Sequence, residues 1–267
     1  MAANVKQLDE TLLGAQRGLL MRAVYGQLLT IHLKDKGEAT CKPVLSILHD
    51  ISKDIADNYP GSGLVAAFSP ELWGKWHKRS IPISTENIDR FKKFTLDQGD
   101  VLIFVKAPNH KTAASIVDAV KGRLATLSAK MEPVKMGKRP DTRIIGGRYV
   151  DGITNPNDPV SLAEDILVGY PERGGLRGSC FGFTQKFEFD WPGIATQAAD
   201  TQDEMIGRNP DGAALPQHAV HSHAHRAAIR DSNGDQLKLL RQALPYGSDH
   251  NHAGREEGIM FVAFCNN

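Results

Sequence analysis

The spacing of apolar residues along this chain switches between a period of two and a period near 3.6, and the switches predict the elements. From Ala23 to Lys34 the run AVYGQLLTIHLK carries the aromatic and β-branched residues of a strand. Val44, Ile47, Leu48, Ile51 and Ile55 then fall on one helical stripe, with Pro43 expected in the first turn and Tyr59-Pro60-Gly61 as the stop. LVAAFS from Leu64 predicts a second strand, after which Ser69 can cap a helix carrying Trp73 and Trp76. DVLIFVKA from Asp100 predicts a buried strand, and His110 to Met131 a long helix with Ile116, Val120, Leu124 and Leu127 inward.

The stretch from Pro133 to Asp165 is rich in Pro, Gly, Asn and Asp and is expected to be a long functional loop. Beyond it, SCFGFTQKFEF alternates as a half-buried strand, and Asp190-Trp191 opens a helical segment reaching Ile206-Gly207-Arg208. AVHSHAHRAAI, QLKLLRQAL and GIMFVAFC predict three more strands, with a tight hairpin at Asn233-Gly234. Both halves therefore read as α+β units, divided at residues 1–135 and 136–267, without a detectable sequence repeat.

Composition narrows the function classes. With 41% hydrophobic residues in 267, the chain can build a full core without disulfides or metal staples. A net charge of +1, from 32 basic and 31 acidic residues, lacks the footprint for nucleic acid or an anionic membrane. Cys41, Cys180 and Cys265 are widely spaced and flanked by apolar residues, as buried free thiols are. With no leader pattern or spanning segment in the sequence, a cytoplasmic location is expected.

Three places could carry chemistry. In RYVDGITNPNDP, Asp151 ends an extended segment and is followed by Gly152 and two Pro turns, so it is either a turn acceptor or a held functional acid. His221, His223 and His225 alternate, and on a strand they would share a face, open to chelating a transition metal with Asp151, Asp249, His250 or His252. Arg241, in LLRQALPYG, sets a permanent cation in an apolar strand, where it needs an anion or acid to face, or else snorkels to the surface.

Taken in order, VDGITNP around Asp151, GSCFGFTQKF followed by Trp191 and IGR, SHAHRA around His223, LLRQALPYG around Arg241 and a terminal EEGIMFVAF resemble the dye-decolorising (DyP-type) haem peroxidases. The resemblance implies two ferredoxin-like α+β domains with antiparallel sheets packed face to face, haem b being held by the second. It implies His223 as the axial iron ligand, Asp151 as the distal acid and Arg241 as the distal cation. Arg208 and the turn Ile153, Thr154, Asn155 match positions that line the haem or its propionates. The implied reaction reduces hydrogen peroxide and oxidises dyes, phenols or other bulky aromatic donors, at the haem edge or through residues such as Trp191, Tyr149 and Tyr246.

Three departures from the family pattern stand out. Arg148 occupies the usual first glycine of GxxDG, where a second cation could hold Asp151 ionised. Ala243 stands where relatives are often polar. The sequence also ends soon after GIMFVAFC, a strand apolar on both faces that early helices, a neighbouring subunit or a C-terminal segment cut off here would have to cover, and a homo-oligomer is expected. Two other readings are a haem-binding or haem-handling protein with incidental peroxidase activity, and a non-haem metal hydrolase built on the histidine-rich segment.

Overall fold

A computed structural model describes residues 16–21, 24–78, 99–135, 143–144, 148–169, 176, 178–216, 220–246 and 258–266. The chain divides into two compact units, Gln16–Lys135 and the unit that begins at Met136.

In the first unit the short helix α1 (Arg17–Leu20) precedes β1 (Tyr25–Leu33), α2 (Glu38–Asn58), β2 (Gly63–Phe68), α3 (Pro70–His77), β3 (Val101–Ala107), α4 (His110–Leu124) and β4 (Ser128–Lys135). The strands form one antiparallel sheet in the order β2-β3-β1-β4. With α2 and α4 as its connecting helices, this is a ferredoxin-like arrangement. The helical stripe read from sequence is the buried one: Val44, Leu48, Ile51 and Ile55 on α2 join Ile116, Val117, Val120 and Leu124 on α4 in one core with Leu29, Ile31 and Ile103. Each such side chain contributes about 1.5–3 kcal/mol by leaving water. The cap of α3 is as expected, the Ser69 hydroxyl accepting from the Leu72 amide at 3.1 Å.

Two expectations are corrected here. The helix α2 starts at Glu38, so Pro43 lies inside it rather than in the first turn. Asp35 makes the earlier start possible, because its carboxylate accepts from the Gly37 amide and the Thr40 hydroxyl just ahead of and inside the first turn. The helix expected to run to Met131 stops at Leu124, and Ser128–Lys135 is a strand. Leu127 is only partly buried against the core, so it extended the helical spacing by coincidence. The Ser128 hydroxyl donates to the Leu124 carbonyl and closes the helix end. As β4 is an edge strand paired only with β1, Pro133 costs it no inner ladder bond.

The second unit contains β5 (Arg143–Ile144), β6 (Tyr149–Val150), α5 (Pro159–Asp165), β7 (Phe181–Glu188), α6 (Trp191–Ala195), α7 (Ala199–Ile206), α8 (His223–Ala227), β8 (Leu240–Arg241), β9 (Leu244–Tyr246) and β10 (Gly258–Cys265). Antiparallel β10 is central: β7 lies on one side, β8 and β9 on the other. It is buried at Gly258, Ile259, Met260, Val262, Ala263 and Phe264, so both faces are covered over most of its length. The long-loop expectation is also corrected, since β5 pairs with β6 and Asp158 caps α5 by accepting from the Val160 and Ser161 amides. At Asn233-Gly234 the chain does reverse, through a three-residue loop with Gly234 at φ +86° and the bridge Arg230 to Gln236. No helix among the described residues is long and apolar enough to cross a membrane.

Pro43 is exposed and leaves the Ala39 carbonyl without its helical donor. Pro43→Ala should therefore raise the unfolding free energy by about 1–2 kcal/mol, the helix gain exceeding the lost stiffening of the unfolded chain. Urea titration of the two proteins measures it.

Candidate active site

The histidine-rich segment is not a strand. Ser222 caps α8 by accepting from the His225 amide at 3.3 Å, and His223 is the first residue of the helix. At 100° per residue, His223 and His225 point about 200° apart, so they do not share a face. His221 precedes the helix and its Nδ1 lies 2.9 Å from Arg226 Nη2. Among the described residues no three His, Cys, Asp or Glu side chains converge as a metal site. Asp249, His250 and His252 lie outside those residues.

His223 is fixed from behind by a close approach that only glycine allows. At the C-cap of α7, Gly207 has φ +82°, and a Cβ there would sit 2.6 Å from the Ser222 hydroxyl and 3.2 Å from Ala224 Cβ. The end of α7 thus packs directly on the residues flanking His223. His223 is exposed, yet desolvation by the surrounding protein pushes its pKa below the usual histidine value. The charge of Arg241 adds to this and that of Asp151 opposes it, so all three groups lie within electrostatic reach of one another.

Asp151 follows β6. Its Oδ1 accepts from the Gly152 amide at 2.7 Å, and the Asn155 amide donates to the Gly152 carbonyl at 3.1 Å, closing a turn in which Gly152 takes φ +75°. The Asn155 side chain bonds both backbone groups of Arg241: its Oδ1 accepts from the amide at 2.9 Å and its Nδ2 donates to the carbonyl at 2.7 Å. Arg241 Nη1 donates to the Thr154 hydroxyl at 3.0 Å and to the Leu239 carbonyl at 3.4 Å. Burial pushes the guanidinium pKa down and the charge of Asp151 pushes it back up.

Arg208 closes its own turn by donating to the Gly212 carbonyl at 2.7 Å. Ile153 covers that turn so tightly that a Cβ on Gly212 would meet its Cδ1 at 2.5 Å, and the Val150 amide reaches the Pro210 carbonyl at 3.3 Å. The structure therefore gathers Asp151, Ile153, Thr154, Asn155 and Arg241 around one turn and brings the Arg208 turn against it. Ala243 is buried. Tyr246 is turned to the sheet, donating to the Phe187 carbonyl at 3.1 Å. The side chain of Trp191 lies outside the described residues.

Arg148 has partners that the sequence did not indicate. Its Nη2 pairs with Asp203 Oδ1 at 2.8 Å and its Nε donates to the Tyr149 hydroxyl, which in turn donates to the same Asp203 oxygen at 2.7 Å. The cation is directed to a carboxylate on α7, and these bonds hold the Asp203 carboxyl below the usual aspartate range. Sequence reading missed this cluster and the Gly207–Ser222 contact. Both are long-range, and the only local signal was a serine one residue before the helix that the HxHxH alternation disguised.

Residues 142–267 match the family model described as Dyp-type peroxidase, C-terminal. The dye-decolorizing peroxidase of Rhodococcus erythropolis is 24% identical over 252 residues, which cover 88% of this chain and 70% of that protein. The C-terminal half of the chain is similar to the DyP-type peroxidases. Solved structures match over most of the chain as well. A dye-decolorizing protein from V. cholerae superposes with a TM-score of 0.77 at 23% identity, covering 95% of this chain and 84% of that one. A DypB variant from Rhodococcus jostii, solved in complex with heme, gives 0.73 at 18% identity, covering 92% and 81%. These likenesses establish the α+β fold of this chain.

Because the folded-state pKa of Asp203 is lowered, its stabilising contribution is complete above the ordinary aspartate value near 3.9 and is lost as pH falls through the folded value. Asp203→Asn should lower stability at neutral pH and flatten its decline below about pH 4. Urea midpoints measured across that range would show a parallel decline if the pair contributed nothing.

Proposed function

We propose that this protein is a haem peroxidase that reduces hydrogen peroxide and oxidises bulky aromatic donors such as phenols or dyes. The observation that carries the reading is the gathering of one carboxylate, one guanidinium and one imidazole within electrostatic reach, contributed by three separate segments. The donor set suits haem b. His223 is driven toward its neutral form, which leaves a ring lone pair for iron, and Asp151 and Arg241 supply an acid and a cation for a bound oxygen ligand. Arg208 and the turn Ile153 to Asn155 would line the group, Arg208 being suited to a carboxylate.

Bound haem would supply an iron centre able to take oxidising equivalents from peroxide and pass them on one electron at a time. The chain's own residues do the rest. Asp151 takes the proton from the near oxygen of hydrogen peroxide and returns it to the far oxygen, so that the departing group leaves as water. Arg241 stabilises the negative charge on that oxygen as the bond breaks, from a position fixed in advance by Thr154 and Asn155. Two one-electron oxidations of donor complete the turnover.

One feature favours haem handling instead. Ala243 is buried and apolar beside Arg241, where a polar side chain could hold a water. Sustained turnover with several unrelated aromatic donors would exclude that reading, and tight haem uptake without turnover would establish it.

Haem-reconstituted protein should show a strong Soret band that His223→Ala shifts or abolishes. In stopped-flow mixing with hydrogen peroxide, Asp151→Asn and Arg241→Leu should each slow the first spectral change by about 100-fold. Arg241→Leu should be at least as damaging, since a water can stand in for a missing base. Wild-type rates in both variants would refute these roles.

A further inference from the structure

We propose that Asn155 is a positioning residue that acts through Arg241, holding it and Asp151 as one rigid unit. The inference deepens the peroxidase reading above and rests on it. A two-residue strand such as β8 is a weak anchor for a catalytic side chain. On one side Arg241 is set by its pairing with Ala263 of β10. Its backbone N–H and C=O are taken instead by the two ends of the Asn155 amide, at 2.9 and 2.7 Å, across 86 positions of sequence. A primary amide offers one donor and one acceptor side by side, the same pair that a neighbouring strand would present. Asn155 thus does for Arg241 what another strand does for an ordinary residue.

The other end of the strap reaches Asp151. Asn155 closes the turn onto the Gly152 carbonyl, and a Cβ on Gly152 would lie 3.2 Å from Asn155 Nδ2, so acid, glycine and amide are packed as one piece. Thr154 adds a third point by accepting from Arg241 Nη1. Aspartate is no substitute at 155, because a second carboxylate oxygen would face the Arg241 carbonyl in place of a donor.

The test is a double-mutant cycle on the haem-reconstituted protein, joined to hydrogen exchange at the Arg241 amide. Asn155→Ala should slow the reaction with peroxide by about 10- to 100-fold when Arg241 is present, since small misplacements of a catalytic group cost that much. In the Arg241→Leu background the same substitution should change the rate by less than about twofold, because the group it positions is gone. Rates are taken per haem bound, so that any loss of haem from a variant in this turn does not enter the comparison. Asn155→Asp should resemble Asn155→Ala, and Thr154→Val should give the same pattern with a smaller effect. Arg241 amide exchange should speed by about 10-fold or more in Asn155→Ala. Equal slowing in both backgrounds, or unchanged exchange, would overturn the proposal. If the wild type itself fails to take haem or react with peroxide, the peroxidase reading fails, while amide exchange still decides whether the strap exists. Should Asn155→Ala not fold, Thr154→Val in the two backgrounds decides.

Discussion

A strand buried on both faces has no water for its amides and carbonyls, so each must be bonded within the protein. In the second unit that constraint falls on β10, from Gly258 to Cys265. It is met by β7 along the full length on one side and by β8 and β9 in succession on the other. The interruption between β8 and β9 lets Arg241 end one short pairing and Leu244 begin the next. Between them Gln242 still donates to Val262 at 2.8 Å, so the break does not free the chain. The placement of Arg241 is thus a by-product of satisfying a buried ladder, refined by side chains that arrive from far away.

Charge is managed locally. The second unit holds a further cation, Arg148, three residues before Asp151. Asp203 and the Tyr149 hydroxyl receive it. Arg148 is a structural brace between β6 and α7. Arg241 keeps its guanidinium bonded to a neutral hydroxyl and a carbonyl, both of which leave the positive charge uncancelled.

Much of this was legible in the sequence where the determinants are local. The stripe on α2, the Ser69 cap, the strands β1, β2, β3 and β10 and the chain reversal at Gly234 follow from side-chain periodicity and backbone preference and came out as read, whereas QLKLLRQAL is strand only at Leu240–Arg241 and from Leu244. Asp151, Arg241 and His223 stood out because each sits in a motif whose residue types a fold alone does not demand, and the structure brings them within electrostatic reach of one another. The failures share one physical cause. Histidines at every second position look like a strand until Ser222 is seen to cap them, and Leu127 looks helical until β4 is seen to pair with β1. In both places a tertiary partner overrode the local period. The strap from Asn155 to Arg241 had no local signal, since nothing in an Asn-Pro turn announces a partner 86 residues away.

The helix α7 has a role that its modest sequence hides. Asp203, near its middle, grips the strand that leads to Asp151, and Gly207, at its end, buttresses the cap that leads to His223. These two residues are one helical turn apart, joined by the bond from the Gly207 amide to the Asp203 carbonyl at 2.7 Å. That makes α7 a ruler with a single graduation. Inserting or deleting one residue between positions 203 and 207 would slide one grip by about 1.5 Å and swing it by about 100° relative to the other. Substitutions along the helix's outer face can drift freely, but its length in that turn cannot.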